Sequence, residues 1–113
     1  MDRDQVDAFC LSLPATTLDH PFDPSHNAFR VGGKMFAITG ADGKLSFKVS
    51  DIAYEVLTDG GMARPAPYMA RAKWVQVDLP CDWEEAELKD HLGAAHAIIA
   101  AKLTKKARAE LGL

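Results

Sequence analysis

The chain has 113 residues, of which 48% are hydrophobic and 26% are charged. This length suits one domain, and the composition is too apolar for a disordered chain and too often interrupted by charge for a membrane-spanning one. The net charge of -3 disfavours attraction of the whole molecule to a polyanion. We therefore predict a single domain over residues 1–113, in which only a local basic patch could bind nucleic acid.

The N-terminal apolar residues recur with helical spacing. They predict an amphipathic helix with a buried stripe of Val6, Phe9, Cys10 and Leu13 that ends at Pro14. Residues 14–27 contain three prolines and no sustained period, so we predict a long loop there, with room for a short strand around Phe22.

The period then changes to two over three runs, which predicts three strands. Their apolar residues are expected on one face: Phe29 and Val31, then Phe36 and Ile38, then Leu45, Phe47 and Val49. Gly32-Gly33 and residues 40–43 have the composition of hairpin turns, so neighbouring strands should be antiparallel.

The second half predicts a helix, a strand and a longer helix. Ser50 can cap a helix that buries Ile52, Val56 and Leu57 and ends at Gly60-Gly61. A loop from Met62 to Tyr68 precedes a strand from Lys73 to Leu79. A helix from about Glu84 has an apolar face of Leu88, Leu92, Ala95, Ile99 and Leu103.

This order predicts an α+β domain, a two-layer sandwich with helices packed on one face of an antiparallel sheet of four or more strands. Placing the aliphatic residues under the helices puts Arg30, Lys48 and Trp74 on the other face, with Lys34 and Lys73 at its border. Cations around an aromatic ring are typical of surfaces that bind single-stranded nucleic acid. The alternative for Trp74 is burial under the Met62–Tyr68 loop or the C-terminal helix.

The other charged and metal-binding residue types favour structural roles. His91 and His96 are five residues apart, which does not place them on one helix face, and His20 and His26 lie in the predicted loop. The acidic residues 82–90 and the basic cluster of Lys102, Lys105, Lys106 and Arg108 fit the two ends of one helix, although carboxylates could bind a hard cation and lysines a phosphate. We expect no metal, no cofactor and no enzymatic activity.

Two cysteines and the absence of a signal peptide at MDRDQ favour the reducing cytoplasm. Cys10 is predicted in the core and Cys81 as an incidental surface thiol. We also expect a monomer without membrane association.

Several motifs together resemble the MmcQ/YjbR family of small bacterial proteins. They are FCLSLP at 9–14, HPF at 20–22, FRVGGKMFA at 29–37, LSFKV at 45–49, PAPYM at 65–69 and KWV at 73–75. The resemblance implies a CyaY/frataxin-like fold and DNA binding through hairpins in a double-wing arrangement, and its motif residues fall on Lys34, Phe36, Lys48, Tyr68 and Trp74.

The sequence therefore predicts weak nucleic-acid binding through Arg30, Lys34, Lys48, Lys73 and Trp74. The alternative is a non-enzymatic module that binds a protein or a small ligand in a cleft near Tyr68 and Trp74. The loop at 20–24, HPFDP, departs from the Pro-Phe-Gly or Pro-Trp-Gly turn frequent in the family, so the resemblance does not define its conformation.

Overall fold

The structure, a computed structural model, describes residues 1–113. Its elements are α1 (Arg3–Ser12), β1 (Thr16–Asp19), β2 (His26–Val31), β3 (Lys34–Gly40), β4 (Lys44–Lys48), α2 (Asp51–Asp59), β5 (Arg64–Pro65), β6 (Trp74–Asp78), α3 (Glu85–Ala100) and α4 (Lys105–Glu110). The strands form one antiparallel sheet in the order β1-β2-β3-β4-β6-β5. The predicted α+β class is confirmed. None of the helices combines the length and the apolar composition needed to cross a bilayer.

Helices α1 and α3 lie on one face of the sheet and enclose the main core. Helix α1 begins with a capping box, in which the Asp2 carboxylate accepts from the Gln5 amide at 2.8 Å and the Gln5 side chain accepts from the Asp2 amide at 2.9 Å. The largest fully buried side chains of the core are Phe29, Phe36, Phe47, Leu45, Leu88 and Leu92. Alternation along the strands and the helical stripes thus identified most of the core.

A β-bulge in β3 overturns one part of the predicted alternation. β2 and β3 pair in register up to Phe29 and Ala37, after which β3 contains one extra residue, Phe36. Phe36 and Ala37 therefore both enter the main core, and Ile38 lies on the opposite face. The prediction that Phe36 and Ile38 share a face is wrong, because a single inserted residue changes the phase of a period-two pattern.

Two short edge strands lie where loops were predicted. β1 (Thr16–Asp19), and not a segment around Phe22, is the strand within residues 14–27, and Phe22 is exposed in the following connection. β5 (Arg64–Pro65) pairs with only two residues of β6. Both strands depend on a neighbouring strand rather than on a local pattern, which is why sequence periodicity did not reveal them.

Helix α2 begins at Ser50 as predicted, with the Ser50 hydroxyl accepting from the Ala53 amide at 3.1 Å. It packs at the sheet edge, against β5 and β6, and buries Leu57. Ile52 and Val56 are 78% and 61% exposed, so the prediction that they are buried is wrong. A helix at an edge has one covered side, and these two residues point away from it.

The C-terminal helix is shorter than predicted. α3 ends at Ala100, and Thr104 caps the separate helix α4 by accepting from the Ala107 amide at 3.0 Å. Lys105 and Lys106 consequently stand in the first turn of α4, where the helix dipole disfavours cations, so the dipole of α3 does not account for them. Cys81 is also buried rather than exposed, and burial raises the pKa of its thiol.

Candidate nucleic-acid interface

One end of the sheet combines the start of β3, the end of β4 and the start of β6. Because neighbouring strands are antiparallel, Lys34, Lys48 and Lys73 lie at this same end. Lys48 is paired with Trp74 in the β4–β6 ladder, and Trp74 directly follows Lys73 in the chain. The strand ends therefore bring together three of the predicted contact residues.

The turn between α3 and α4 packs against the β2–β3 hairpin and therefore lies at the same end of the sheet. Gly32 has a φ of +59°, and a Cβ added to it would come within 2.6 Å of the Leu103 methyl groups, so glycine suits this position on two counts. Lys102, which precedes Leu103, is exposed and close enough to Lys48 for its ammonium group to lower the Lys48 pKa. In the sequence, Lys102 belongs to the separate cluster with Lys105, Lys106 and Arg108, since no local signal connects it with the strands.

Lys48 itself is buried and does not face solvent. Its Nζ donates a hydrogen bond to the carbonyl oxygen of Ala72. Burial lowers the pKa of Lys48, the ammonium groups of Lys102 and Lys73 lower it further, and the Asp51 carboxylate opposes the shift. The Lys48 ammonium group is thus engaged within the protein, and the expected exposed position of Lys48 is wrong.

Trp74 is 5% exposed, so the expected exposed aromatic platform is absent. Its ring packs with Ile38 and Ala66, and Met35 and Met69 lie against this second cluster. Residues 66–73, which we call the covering segment, follow β5 and close over this part of the sheet. The alternative of burial under a loop is the arrangement that the structure has, and the bulge that moves Ile38 to this face supplies part of the apolar surface.

Arg30 is only partly exposed and is engaged within the protein. Its Nε donates to an Asp19 carboxylate oxygen at 2.9 Å, and its Nη1 donates to the Gly33 carbonyl at 3.0 Å. Asp19 belongs to β1, the strand that the sequence analysis missed. The charge of Arg30 is therefore compensated by a neighbour that the sequence pattern did not place beside it.

Three lysines remain with accessible ammonium groups at this end. Lys34 and Lys102 are exposed, and Lys73 is half-buried at a φ of +61° with its Nζ 4.7 Å from the centre of the Tyr54 ring. None of the three forms an ion pair within the protein. We call Lys34, Lys73 and Lys102 the basic end.

The predicted ligand cleft near Tyr68 and Trp74 is not formed. Tyr68 is fully exposed whereas Trp74 is buried beneath the covering segment. The chain has two surface cavities, and neither is lined by either residue. The larger one lies at the β5–β6 edge, at the opposite end of β6 from Lys73.

The ring nitrogens of His96 and His26 contact other groups of the protein. The His96 Nε2 lies 2.7 Å from the Pro14 carbonyl oxygen, which is a donor position for that nitrogen, and its ring packs edge-on against Phe36. Asp23, Ser25 and His26 are the residue types of a hydrolytic triad, but the serine and aspartate both contact Nδ1 of the histidine. No group of three or more histidine, cysteine or acidic side chains is placed to hold one metal ion.

The comparison with protein families matches residues 11–98 to the model of the YjbR family. The chain belongs to the YjbR family. This match confirms the family that the motifs resembled and covers both the sheet and most of α3. No curated protein matches this YjbR chain.

Solved structures confirm the fold of this YjbR chain. A Deinococcus radiodurans protein with a domain of the DUF419 family model superposes with a TM-score of 0.88 at 28% identity, over 99% of this chain and 88% of that one. A Pseudomonas syringae protein solved by structural genomics superposes with a TM-score of 0.73 at 20% identity, over 88% of this chain and 99% of that one.

Proposed function

We propose that the protein is a non-enzymatic domain that binds the phosphate backbone of single-stranded nucleic acid weakly through Lys34, Lys73 and Lys102. The observation that carries this proposal is the convergence of three unpaired ammonium groups from three separate parts of the chain. None of the three has a carboxylate partner in the protein, so a polyanion can neutralise them and gain affinity by releasing its counterions.

The distribution of charge supports an oriented approach. The opposite end of the sheet has Asp42 in the β3–β4 turn and Asp78 at the end of β6, followed by Asp82. Lys44 and Arg64 also lie at that end and pair with Asp78, so the two ends differ in their unpaired groups, which are Asp82 at one end and Lys34, Lys73 and Lys102 at the other. The net charge of -3 repels a polyanion overall, and the three unpaired cations orient it toward the basic end. Weak and strongly salt-dependent binding is the behaviour expected of three contacts on an acidic protein.

The lack of an assembled catalytic group supports the non-enzymatic part of the proposal. General-base activation of a serine needs one imidazole nitrogen on the hydroxyl and the other on the orienting acid. At His26 both partners face Nδ1, while Nε2 lies 3.9 Å from Asp42. We also propose a monomer in the cytoplasm, as the sequence favoured.

The salt dependence of binding tests this function. Anisotropy of a labelled single-stranded oligonucleotide should give a log–log slope of about -2, because each of three contacts contributes about -0.7. Affinity should then fall about twentyfold between 50 and 200 mM salt. Absence of binding at 50 mM salt, or a slope near zero, contradicts the proposal.

Matched lysine variants locate the contacts. Lys34→Gln and Lys102→Gln should each flatten the slope by about 0.7. Lys89→Gln removes the same charge near the start of α3, at the other end of that helix, and should leave the slope unchanged. Equal effects of all three variants would indicate a general charge effect and would contradict a site at the basic end.

A further inference from the structure

A cavity of about 500 Å³ opens at the outer edge of the sheet, at the end away from the basic end. It is lined by the turn after α2, the end of β6 and the segment before α3, which are residues 61–64, 76–78 and 80–83. The cavity exists because β5 pairs only with Val75 and Gln76, so β6 has no outer strand at Val77 and Asp78. The shortness of the outer strand β5 is therefore the origin of this concave site.

One wall of the cavity contains a guanidinium group with an unused donor. Arg64 donates through Nε and Nη2 to Oε1 of Gln76, at 3.1 and 2.9 Å, and through Nη2 to Oδ1 of Asp78 at 2.9 Å. Its Nη1 makes no hydrogen bond. Asp78 also accepts from Lys44 on the same oxygen at 2.6 Å, so two cations surround this one carboxylate. This wall has an excess of positive charge.

The same cavity is also lined by Asp82, a carboxylate without a direct partner. Asp82 is exposed and forms neither a hydrogen bond through its side chain nor an ion pair. Its segment is fixed by two hydrogen bonds between Met1 and Cys81, at 2.9 and 3.2 Å. The lining of one cavity thus contains both a guanidinium group with a free N–H donor and a carboxylate without an internal partner.

Apolar groups complete the lining. Val77 and Cys81 are buried there, Met62 is 43% exposed, and Trp83 is half-buried. The Trp83 ring packs edge-on against Phe47, with ring centres 6.3 Å apart, which holds the indole in place. An aromatic ring and a flexible thioether are surfaces that adapt to an apolar side chain.

We propose that this cavity binds a free α-amino acid with an apolar side chain. The ligand carboxylate accepts from Nη1 of Arg64, the ligand ammonium group donates to Asp82, and the side chain lies against Met62 and Trp83. A zwitterion can pair with both the Arg64 guanidinium group and the Asp82 carboxylate, whereas an ion with a single charge leaves one of these two groups unpaired. The site is separate from the basic end and does not depend on nucleic-acid binding.

Titration of the labelled protein with L-phenylalanine tests the proposal by nuclear magnetic resonance. The two indole N–H signals provide an internal control, because Trp83 lines the cavity and Trp74 lies beneath the covering segment. The Trp83 signal should move with a dissociation constant on the order of 1 mM, which is reasonable for a ligand of this size, while that of Trp74 stays in place. 3-Phenylpropionate and phenethylamine, which lack one charge each, should bind at least about fivefold more weakly.

Two variants and a control test whether Asp82 and Arg64 bind the ligand. Asp82→Asn removes a group without internal partners, so it should weaken binding about fivefold or more with an unchanged amide spectrum elsewhere. Arg64→Met should also weaken binding, with amide shifts at its internal partners Gln76 and Asp78. Arg71→Met, which replaces an exposed arginine of the covering segment, should have no effect. No movement of the Trp83 signal up to about 20 mM ligand, equal affinity for all three compounds, or an unaffected Asp82→Asn variant overturns the proposal.

Discussion

Lys48 of the fourth strand donates a hydrogen bond from Nζ to the carbonyl oxygen of Ala72, and this bond fastens the covering segment to the sheet. Trp74 follows that segment and is paired with Lys48 in the ladder. A cation expected to contact phosphates thus holds in place the loop that buries the aromatic ring expected to stack on bases.

Replacement of Lys48 by Met should loosen the covering segment. Because the donor is charged, the lost bond is worth about 2 kcal/mol, which corresponds to about thirtyfold more frequent local opening. Hydrogen exchange of the Trp74 backbone amide, which donates to the Met69 carbonyl oxygen at 3.2 Å, should quicken by that factor. The Leu79 amide, which donates to the Gly43 carbonyl oxygen at the other end of β6, should exchange at its original rate. Equal exchange of Trp74 in both proteins would show that the bond to Ala72 does not hold the segment.

The bulge in β3 predicts different results for two neighbouring residues. Phe36→Ala should lower the free energy of unfolding by about 3–5 kcal/mol, as measured by urea denaturation, and should shift the ring signals of His96, whose ring centre lies 5.2 Å from that of Phe36. Ile38→Ala should instead shift the Trp74 indole signal, because Ile38 packs with that ring. A shift of Trp74 in the Phe36 variant and not in the Ile38 variant would contradict the assignment of faces.

Cys10 should make the protein sensitive to alkaline pH. Burial, with a smaller effect of the Asp7 carboxylate, raises the pKa of the Cys10 thiol from 9.0 to about 12. The unfolded chain therefore loses this proton at a lower pH than the folded chain does, so stability falls as pH rises from about 9 to about 12. Between pH 8 and 10.5 the wild type should lose about 2 kcal/mol more than Cys10→Ala does, by urea denaturation. Parallel pH profiles for the two proteins would be inconsistent with a buried neutral thiol.

Substitutions on the two sides of α2 should change the free energy of unfolding by very different amounts. Ile52→Gln and Val56→Gln change exposed positions and should alter the free energy of unfolding by no more than about 0.5 kcal/mol. Leu57→Ala removes a buried side chain and should cost about 2–5 kcal/mol. A large loss in the Ile52 variant would mean that this side of α2 is covered in solution.

Much of the fold follows from periodicity. The alternation of Leu45, Phe47, Val75 and Val77 identified the core face of two strands, since both strands pair without interruption. The face of Ile38 was not predictable in this way, because an inserted residue leaves no mark in a period-two pattern. The exposure of Ile52 and Val56 depends on the position of α2 at the sheet edge, which its amphipathic sequence does not specify.

The candidate site was predictable only in part. The grouping of Lys34, Lys48 and Lys73 follows from strand direction, which the hairpin turns fixed. Burial of Trp74 under a loop was an open alternative from the sequence, because a tryptophan is seldom left exposed. The burial of Lys48 depends on residues 66–73, whose irregular sequence does not indicate a contact with β4. The proximity of Lys102 depends on the contact between Leu103 and Gly32, two residues about 70 positions apart in the chain.

The central claim is that nucleic acid binds at the basic end and nowhere else on the protein. Titration of the labelled protein with a short single-stranded oligonucleotide at 50 mM salt, followed by amide chemical shifts, tests it most directly. The account predicts that shifts concentrate at Lys34, Lys73 and Lys102 and the residues beside them, with residues 76–83 unchanged. Shifts that centre on the cavity at the β5–β6 edge, or a spectrum without any change, would contradict it.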